Sequence, residues 1–218
     1  MALSFPGRWA LGAACAVTIL VAATSRGGAA DTFKLTPAFR HLLALTRGVT
    51  STIADIEVHT KMKSFPPVSL TFRGHSYFRA PDQQSVVFDD VPGPLKGMVK
   101  DSPSIEPAPL WGRHYAVTFE ASGDATIFHL TPKAEDDPIQ SADVTVDNTT
   151  GYMTHIQFNN RNGSSISNDL TYDTFGGHAF VATQQGTATG RGYKADVTTT
   201  FRNYQINVPV PDSAFETK

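Results

Sequence analysis

The stretch ADIEVHTKMK at residues 54–63 alternates without a break: Ala54, Ile56, Val58, Thr60 and Met62 fall on one face, and Asp55, Glu57, His59, Lys61 and Lys63 on the other. A period of two belongs to a β-strand and not to a helix. The continuously charged face has to meet water, so the sheet built from this strand is antiparallel in character, with one side solvated.

The same alternation returns along the chain, in Val68, Leu70 and Phe72, in Tyr115, Val117 and Phe119, in Ala142, Val144 and Val146, and in Tyr152, Ile156 and Phe158. Turn chemistry separates the runs, at Ser122, Gly123 and Asp124, at residues 147–151, at Asn162 and Gly163, and at Gly176 and Gly177. Roughly nine to eleven short strands at near-regular spacing predict a sandwich, a barrel or a strongly curved sheet. Upstream of the opening strand, Thr36 and Pro37 have the form of an N-cap followed by proline at the first helical position. Phe39, Leu42, Leu43 and Leu45 continue at helical spacing as far as Gly48. This predicts one amphipathic helix over 36–47, whose apolar stripe must be buried against the sheet.

Residues 91–112 interrupt the rhythm. Pro92, Pro94, Pro103, Pro107 and Pro109 remove backbone donors and forbid a regular central strand. A connection of about 20 residues inside a compact domain is usually a lid, a binding loop or a disordered segment. The apolar residues Leu95, Met98, Val99, Ile105, Leu110 and Trp111 argue against disorder and for packing over an apolar surface.

The N-terminus adds an address. Arg8 precedes an uncharged run over 10–23, and small residues Gly28 and Ala30 stand where a signal peptidase reads. Residues 1–30 are therefore expected to be a cleaved signal peptide, leaving one domain over 31–218. At about 14 residues the apolar run is short for a bilayer span. Cys15, the chain's one cysteine, has too few residues between it and Arg8 for a lipid-acceptor site, and Gly12 stands where a branched residue is expected. The domain thus has no disulfide to rely on, and its length suits a true hydrophobic core. The net charge is −2, with no polybasic run, which argues against nucleic acid or an anionic membrane surface as partner.

No nucleophile elbow, zinc-protease helix or phosphate-binding loop occurs in the sequence. The 7 histidines are scattered singly, without a near neighbour suited to a metal site. Glu135, Asp136 and Asp137 beside Pro138 read as a solvated turn. Residues 186–192 are glycine-rich but lack the lysine and the helix of a phosphate cradle, so a flexible or bulged hairpin is expected there. Neither a metal nor a cofactor is implied.

Taken in order, these features resemble the LolA-type outer-membrane lipoprotein carriers and the wider lipoprotein-sorting group. The resemblance rests on the helix running straight into the charged strand, on Tyr77, Phe78, Arg79, Ala80 and Pro81, on Leu130, Thr131, Pro132 and Lys133 ahead of the strand over 144–147, and on the ending over 204–211 with Phe215. Three departures set the chain apart: Ala80 separates Arg79 from Pro81, no Asp-Gly turn precedes the 91–112 segment, and 179–201 is long and glycine-rich. A divergent relative of the dedicated carrier is the result. The resemblance implies a mainly β fold, a curved antiparallel incomplete barrel with an N-terminal helix and a lid over a hydrophobic cavity. It also implies a periplasmic monomer that takes acyl chains of lipids or lipoproteins and meets inner- and outer-membrane transport partners. In that frame Leu95, Met98, Leu110 and Trp111 are the apolar contacts of the lid, Arg79 is a lid contact, and Phe72, Phe78, Val117, Phe119 and Phe128 line the concave wall. A sensor of mislocalised lipoprotein, a small-molecule enzyme using the same pocket, and a sugar-binding or structural β-domain are the competing readings.

Overall fold

In the computed structural model the described residues are 32–63, 67–89 and 104–216. The expected leader and most of the 91–112 segment, including Leu95 and Met98, lie outside them. Helix α1 (Pro37–Leu45) is capped as its sequence predicts: the Thr36 hydroxyl accepts from the Phe39 N–H at 3.2 Å, with proline at the first helical position. It buries Ala38, Phe39 and Leu42.

The strands are β1 (Ser51–Met62), β2 (Val68–Arg79), β3 (Gln83–Phe88), β4 (Tyr115–Ser122), β5 (Ala125–Pro132), β6 (Ile139–Asp147), β7 (Met153–Asn160), β8 (Ser165–Phe175), β9 (His178–Gly190) and β10 (Tyr193–Ile206). A short helical passage precedes β4: a 3-10 turn at Ala108–Leu110 followed by the one-turn helix α2 (Trp111–His114). The strands form one sheet in the order β3-β2-β1-β10-β9-β8-β7-β6-β5-β4, with β3 and β4 as unjoined edges among the described residues. Every neighbouring pair except β1 with β10 is a sequential hairpin, and the pairing of β1 with β10 joins the first three strands to the last seven. The sheet is antiparallel, curved and open. Of the three forms its strand rhythm allowed, the curved sheet is the one adopted. The connection between β3 and β4 starts at one free edge and ends at the other, a consequence of the strand order alone.

The alternation in β1 fixes which way the sheet faces. Ala54, Ile56, Val58 and Thr60 are buried, while Asp55, His59 and Lys61 are exposed. On the outer face the charges pair across strands, Arg73 with Glu57 at 2.7 Å and Lys63 with Asp196 at 2.9 Å. Such exposed pairs contribute little to stability. The alternation frays at the start of β2, where Val68 is exposed, because the strand begins beyond the covered part of the sheet.

Helix α1 is seated through the β6–β7 turn. The His41 Nδ1–H donates to the Asn148 carbonyl at 2.7 Å, and a Cβ added at Gly151 (φ +77°) would lie 2.4 Å from the His41 backbone. Only glycine meets both demands, a left-handed backbone and direct contact with the helix. The glycine-rich 186–192 stretch forms the expected hairpin, and it has no bulge. β9 and β10 pair without a register break up to Gly190 and Tyr193, closed by a tight turn at Arg191 and Gly192. Gly186 is a strand residue whose missing side chain lets β8 approach: a Cβ there would fall 1.9 Å from the Ser167 carbonyl oxygen.

Candidate functional site

The concave face of the sheet carries the apolar half of every alternation, and its two ends differ in character. Toward β4–β7 it is aromatic. Phe33, Phe39, Trp111 and Phe128 are all buried and meet as a ring cluster: the centroids are 4.9 Å apart for Phe33 and Phe39, 5.8 Å for Phe39 and Trp111, 5.7 Å for Trp111 and Phe128, and 6.0 Å for Phe39 and Phe128. Edge and tilted pairs of this kind add about 0.5–1.5 kcal/mol each beyond the area they bury. Helix α1 packs against β6 and α2 against β4, so the described helices cover this end.

Trp111 is 0 % exposed, and its indole N–H donates to the Glu106 carbonyl at 2.8 Å. The Tyr115 hydroxyl accepts from the Glu106 N–H at 3.2 Å, and burial pushes that phenol up to about 12. Ile105 and Ala108 are buried in the same core. The passage from 105 to 115 is thus anchored at both backbone groups of Glu106.

Of the predicted wall, the structure brings Phe72, Val117 and Phe128 into the main core, with Phe119 beside Phe128 at 6.3 Å but still 40 % exposed on the edge strand β4. Leu110 is half-buried in the turn before Trp111. Phe78 is not part of this assembly. It lies in a second small cluster with Val49 and Phe180 near the chain end. Arg79 next to it turns to the C-terminal segment and to β3: its Nη1 donates to Asp212 Oδ1 at 2.6 Å, its guanidinium lies 4.8 Å from the Phe215 ring, and its Nε donates to Gln83 Oε1 at 2.6 Å.

Toward β8, β9, β10 and β1 the concave face changes. Four buried polar side chains, Asn168, Gln184, Thr199 and Thr60, stand in the inward register of adjacent strands. Gln184 faces Thr199 directly, Thr199 faces Val58, and Asn168 and Thr60 belong to the neighbouring inward row. Gln184 and Thr60 are each 2 % exposed, and Gln184 Nε2 and Thr60 Oγ1 have no hydrogen-bond partner among the described residues. A buried polar atom left so costs about 1–3 kcal/mol. The alternation in the sequence places Thr60 in the inward phase of β1 but carries no signal for Gln184, whose neighbours Thr183 and Gln185 look no different from it.

On the convex face the single histidines acquire partners that their sequence neighbourhoods do not show. His129 Nδ1 donates to Asp143 at 2.7 Å, His155 Nδ1 to Asp169 at 2.7 Å, and His75 Nδ1 lies 3.1 Å from Asp55. Among the described residues no group of three or more His, Cys, Asp or Glu is placed to hold a metal ion. Among the described residues the buried polar side chains are all threonine, serine, asparagine or glutamine, so there the concave face offers hydrogen bonds and no buried charge.

No protein-family model matches the chain, and no curated protein matches it either. Solved structures do. An outer membrane lipoprotein-sorting protein domain from Vibrio parahaemolyticus aligns with a TM-score of 0.60 at 11% identity, over 84% of this chain and 96% of that one. A LolA superfamily protein from Nitrosomonas europaea aligns with a TM-score of 0.58 at 10% identity, over 83% and 96%. A DUF1329 family protein from Desulfovibrio piger gives 0.60 at 10% identity, over 82% and 95%. At that identity the likeness shows the fold: this chain has the LolA-like fold in a strongly diverged sequence.

Proposed function

We propose that this LolA-like chain is an exported carrier that takes acyl chains of lipids or lipoproteins onto its concave face and shuttles them between membranes, without catalysis. The observation that carries the reading is the open, curved sheet with an apolar concave side, whose two free edges are bridged in sequence by the apolar, proline-rich 91–112 connection. Two solved proteins with this fold, one a lipoprotein-sorting domain and one of the LolA superfamily, support it.

Burying one methylene gains about 0.8 kcal/mol, so one long acyl chain offers on the order of 10 kcal/mol before the costs of association. A carrier that held its cargo at that strength would not release it unless the emptied site could close. An apolar void costs about 24 cal/mol per Å³, or several kcal/mol over a pocket of several hundred Å³. A cover that moves into the emptied space recovers part of this cost and weakens the net hold on cargo. In this reading the 91–112 connection is that cover, and Leu95 and Met98 are its apolar contacts. Trp111 and Tyr115, both tied to Glu106, anchor the end of this connection ahead of β4. The neutral polar groups of the concave face suit binding better than acid–base chemistry.

Mass spectrometry of organic extracts from the purified protein tests the reading. Phospholipid or acylated peptide at near-stoichiometric amount is the expected result. Protein that comes out free of lipid, and takes none up from lipid vesicles, would rule it out.

A further inference from the structure

The convex face holds chemistry that the carrier reading does not use. His155 on β7 stands directly opposite Asp169 on β8, and its Nδ1–H donates to the Asp169 carboxylate at 2.7 Å. With the proton on Nδ1, Nε2 is left as an acceptor. Two residues earlier on β8, on the same side of the strand, Ser167 brings its hydroxyl to 3.3 Å from that Nε2. A carboxylate, an imidazole and a serine hydroxyl are thus connected in the order that activates a nucleophilic serine, with the base oriented by a third group. The serine–histidine contact is slightly long, as such contacts often are before a substrate tightens them.

Two other histidines on this face each lack one member. His59 has Ser69 Oγ 3.3 Å from its Nε2, but at Nδ1 it meets the Thr71 hydroxyl at 3.0 Å in place of a carboxylate. His129 has its carboxylate, Asp143 at 2.7 Å, but the nearest partner of its Nε2 is Glu120 at 3.9 Å. Among the described residues only His155 joins all three groups. The site is open to solvent: Ser167 is half-buried, and the side chains of His155 and Asp169 are 37% and 79% exposed. Thr187 on β9 stands opposite Ser167 from the other side, and its hydroxyl, in a long 3.5 Å bond to Asp196, can turn to an oxyanion forming at the serine.

We propose that Ser167, His155 and Asp169 form an acyl-transfer triad that hydrolyses small, unhindered carboxylic esters. Ser167 Oγ bonds to the ester carbonyl carbon while its proton passes to His155 Nε2. The carbon–oxygen bond to the leaving alcohol then breaks, and His155 returns the proton to that alcohol. Water attacks the acyl-serine, its proton passes through His155 to Ser167 Oγ, and the carboxylic acid departs. Ser167 and His155 are the catalytic residues, and Asp169 is a positioning residue that holds the tautomer. An open face does little to orient a substrate, so the site favours activated esters and discriminates little among their acyl groups. The activity is independent of the carrier reading, which uses the opposite face of the sheet.

A fluorophosphonate probe tests the triad, applied to the purified protein at about pH 8, where an ordinary histidine is neutral. Peptide mass spectrometry should find the label on Ser167 and not on Ser69. His155→Gln should slow labelling at least about hundredfold, the worth of a general base. Asp169→Asn should slow it about tenfold, less than at a buried aspartate, because water screens an exposed carboxylate. Nitrogen-15 shifts of the His155 ring should report the Nδ1–H tautomer in the parent and a changed tautomer in Asp169→Asn, a signature that a merely structural role would not give. Hydrolysis of p-nitrophenyl acetate should fall in Ser167→Ala to the level that the other histidines supply. All three variants lie on the solvated face and should unfold within about a few degrees of the parent. Label absent from Ser167, shared equally with Ser69 or retained in His155→Gln overturns the triad. So does an unchanged tautomer in Asp169→Asn, or equal ester hydrolysis by the parent and Ser167→Ala.

Discussion

Asn207 shows how much one side chain can organise at the residue scale. It is held at φ +55°, its Oδ1 accepts from the N–H and hydroxyl of Thr50 at 2.7 and 3.0 Å, and its Nδ2 donates to the Gly48 carbonyl at 3.0 Å. It thereby ties the connection between α1 and β1 to the end of β10, more than 150 positions away in sequence. Replacing it with alanine removes the three bonds and leaves in the left-handed region a residue that tolerates it less well than asparagine, at a combined cost of about 2–3 kcal/mol. Asn207→Gly should recover the conformational part alone and fall between alanine and the parent in urea unfolding. Equal stability of the two variants would mean that the backbone conformation costs nothing there. In the sequence this residue stands out only as part of the chain's closing pattern, since hydrogen bonds to Gly48 and Thr50 leave no trace in local composition.

At the scale of elements, the β6–β7 turn serves as both hairpin and seat for α1. Asp147 accepts from the Thr150 N–H at 2.7 Å, the Thr150 hydroxyl at 2.8 Å and the Thr149 N–H at 3.0 Å, and these bonds, the Thr150 ones foremost, hold its carboxyl below the usual carboxylate range. A carboxyl lowered on folding lends stability that is fully present above its unfolded value near pH 4 and is lost as pH falls through the lower folded value. Asp147→Asn should therefore be less stable than the parent at about pH 6, and the gap should narrow as pH drops below about 3. Denaturant midpoints of the pair across that range measure it, and a gap independent of pH would show that the charge is not what matters. The turn itself was legible from its Asp, Asn, Thr and Gly residues. Its second task, receiving the helix at His41, follows only from the packing.

The whole molecule carries its own pH signature at the alkaline end. Tyr115, Tyr172 and Tyr204 are withdrawn from water, and burial raises all three phenols, Tyr115 to about 12 and the other two further. A phenol raised on folding contributes stability that is complete below its unfolded value near pH 10 and declines as pH climbs from there toward the folded value. Stability should fall between about pH 10 and pH 12, with tyrosinate absorbance appearing together with unfolding. Tyr115→Phe should make that decline shallower. If tyrosinate forms while the fold persists, these side chains are not buried in solution. The same burial explains why the domain needs no disulfide: one continuous core runs from α1 across the concave face of the sheet.

The chain's alternating runs, turn residues and helix cap determined by themselves that it would form a mainly β domain with one covering helix, because periodicity and capping are local properties that a strand or helix carries wherever it is placed. They also gave the inward face of β1, down to the place of Thr60 in it. Tertiary structure alone decided that the sheet stays open between β3 and β4, that Phe78 leaves the wall for a separate cluster, and that Arg79 turns to Asp212 and Phe215. It alone set Gln184 beside Thr199, with Asn168 and Thr60 in the next inward row. These outcomes depend on register and strand order, which bring together residues far apart in sequence, and no local pattern of hydrophobicity records which strand will lie beside which.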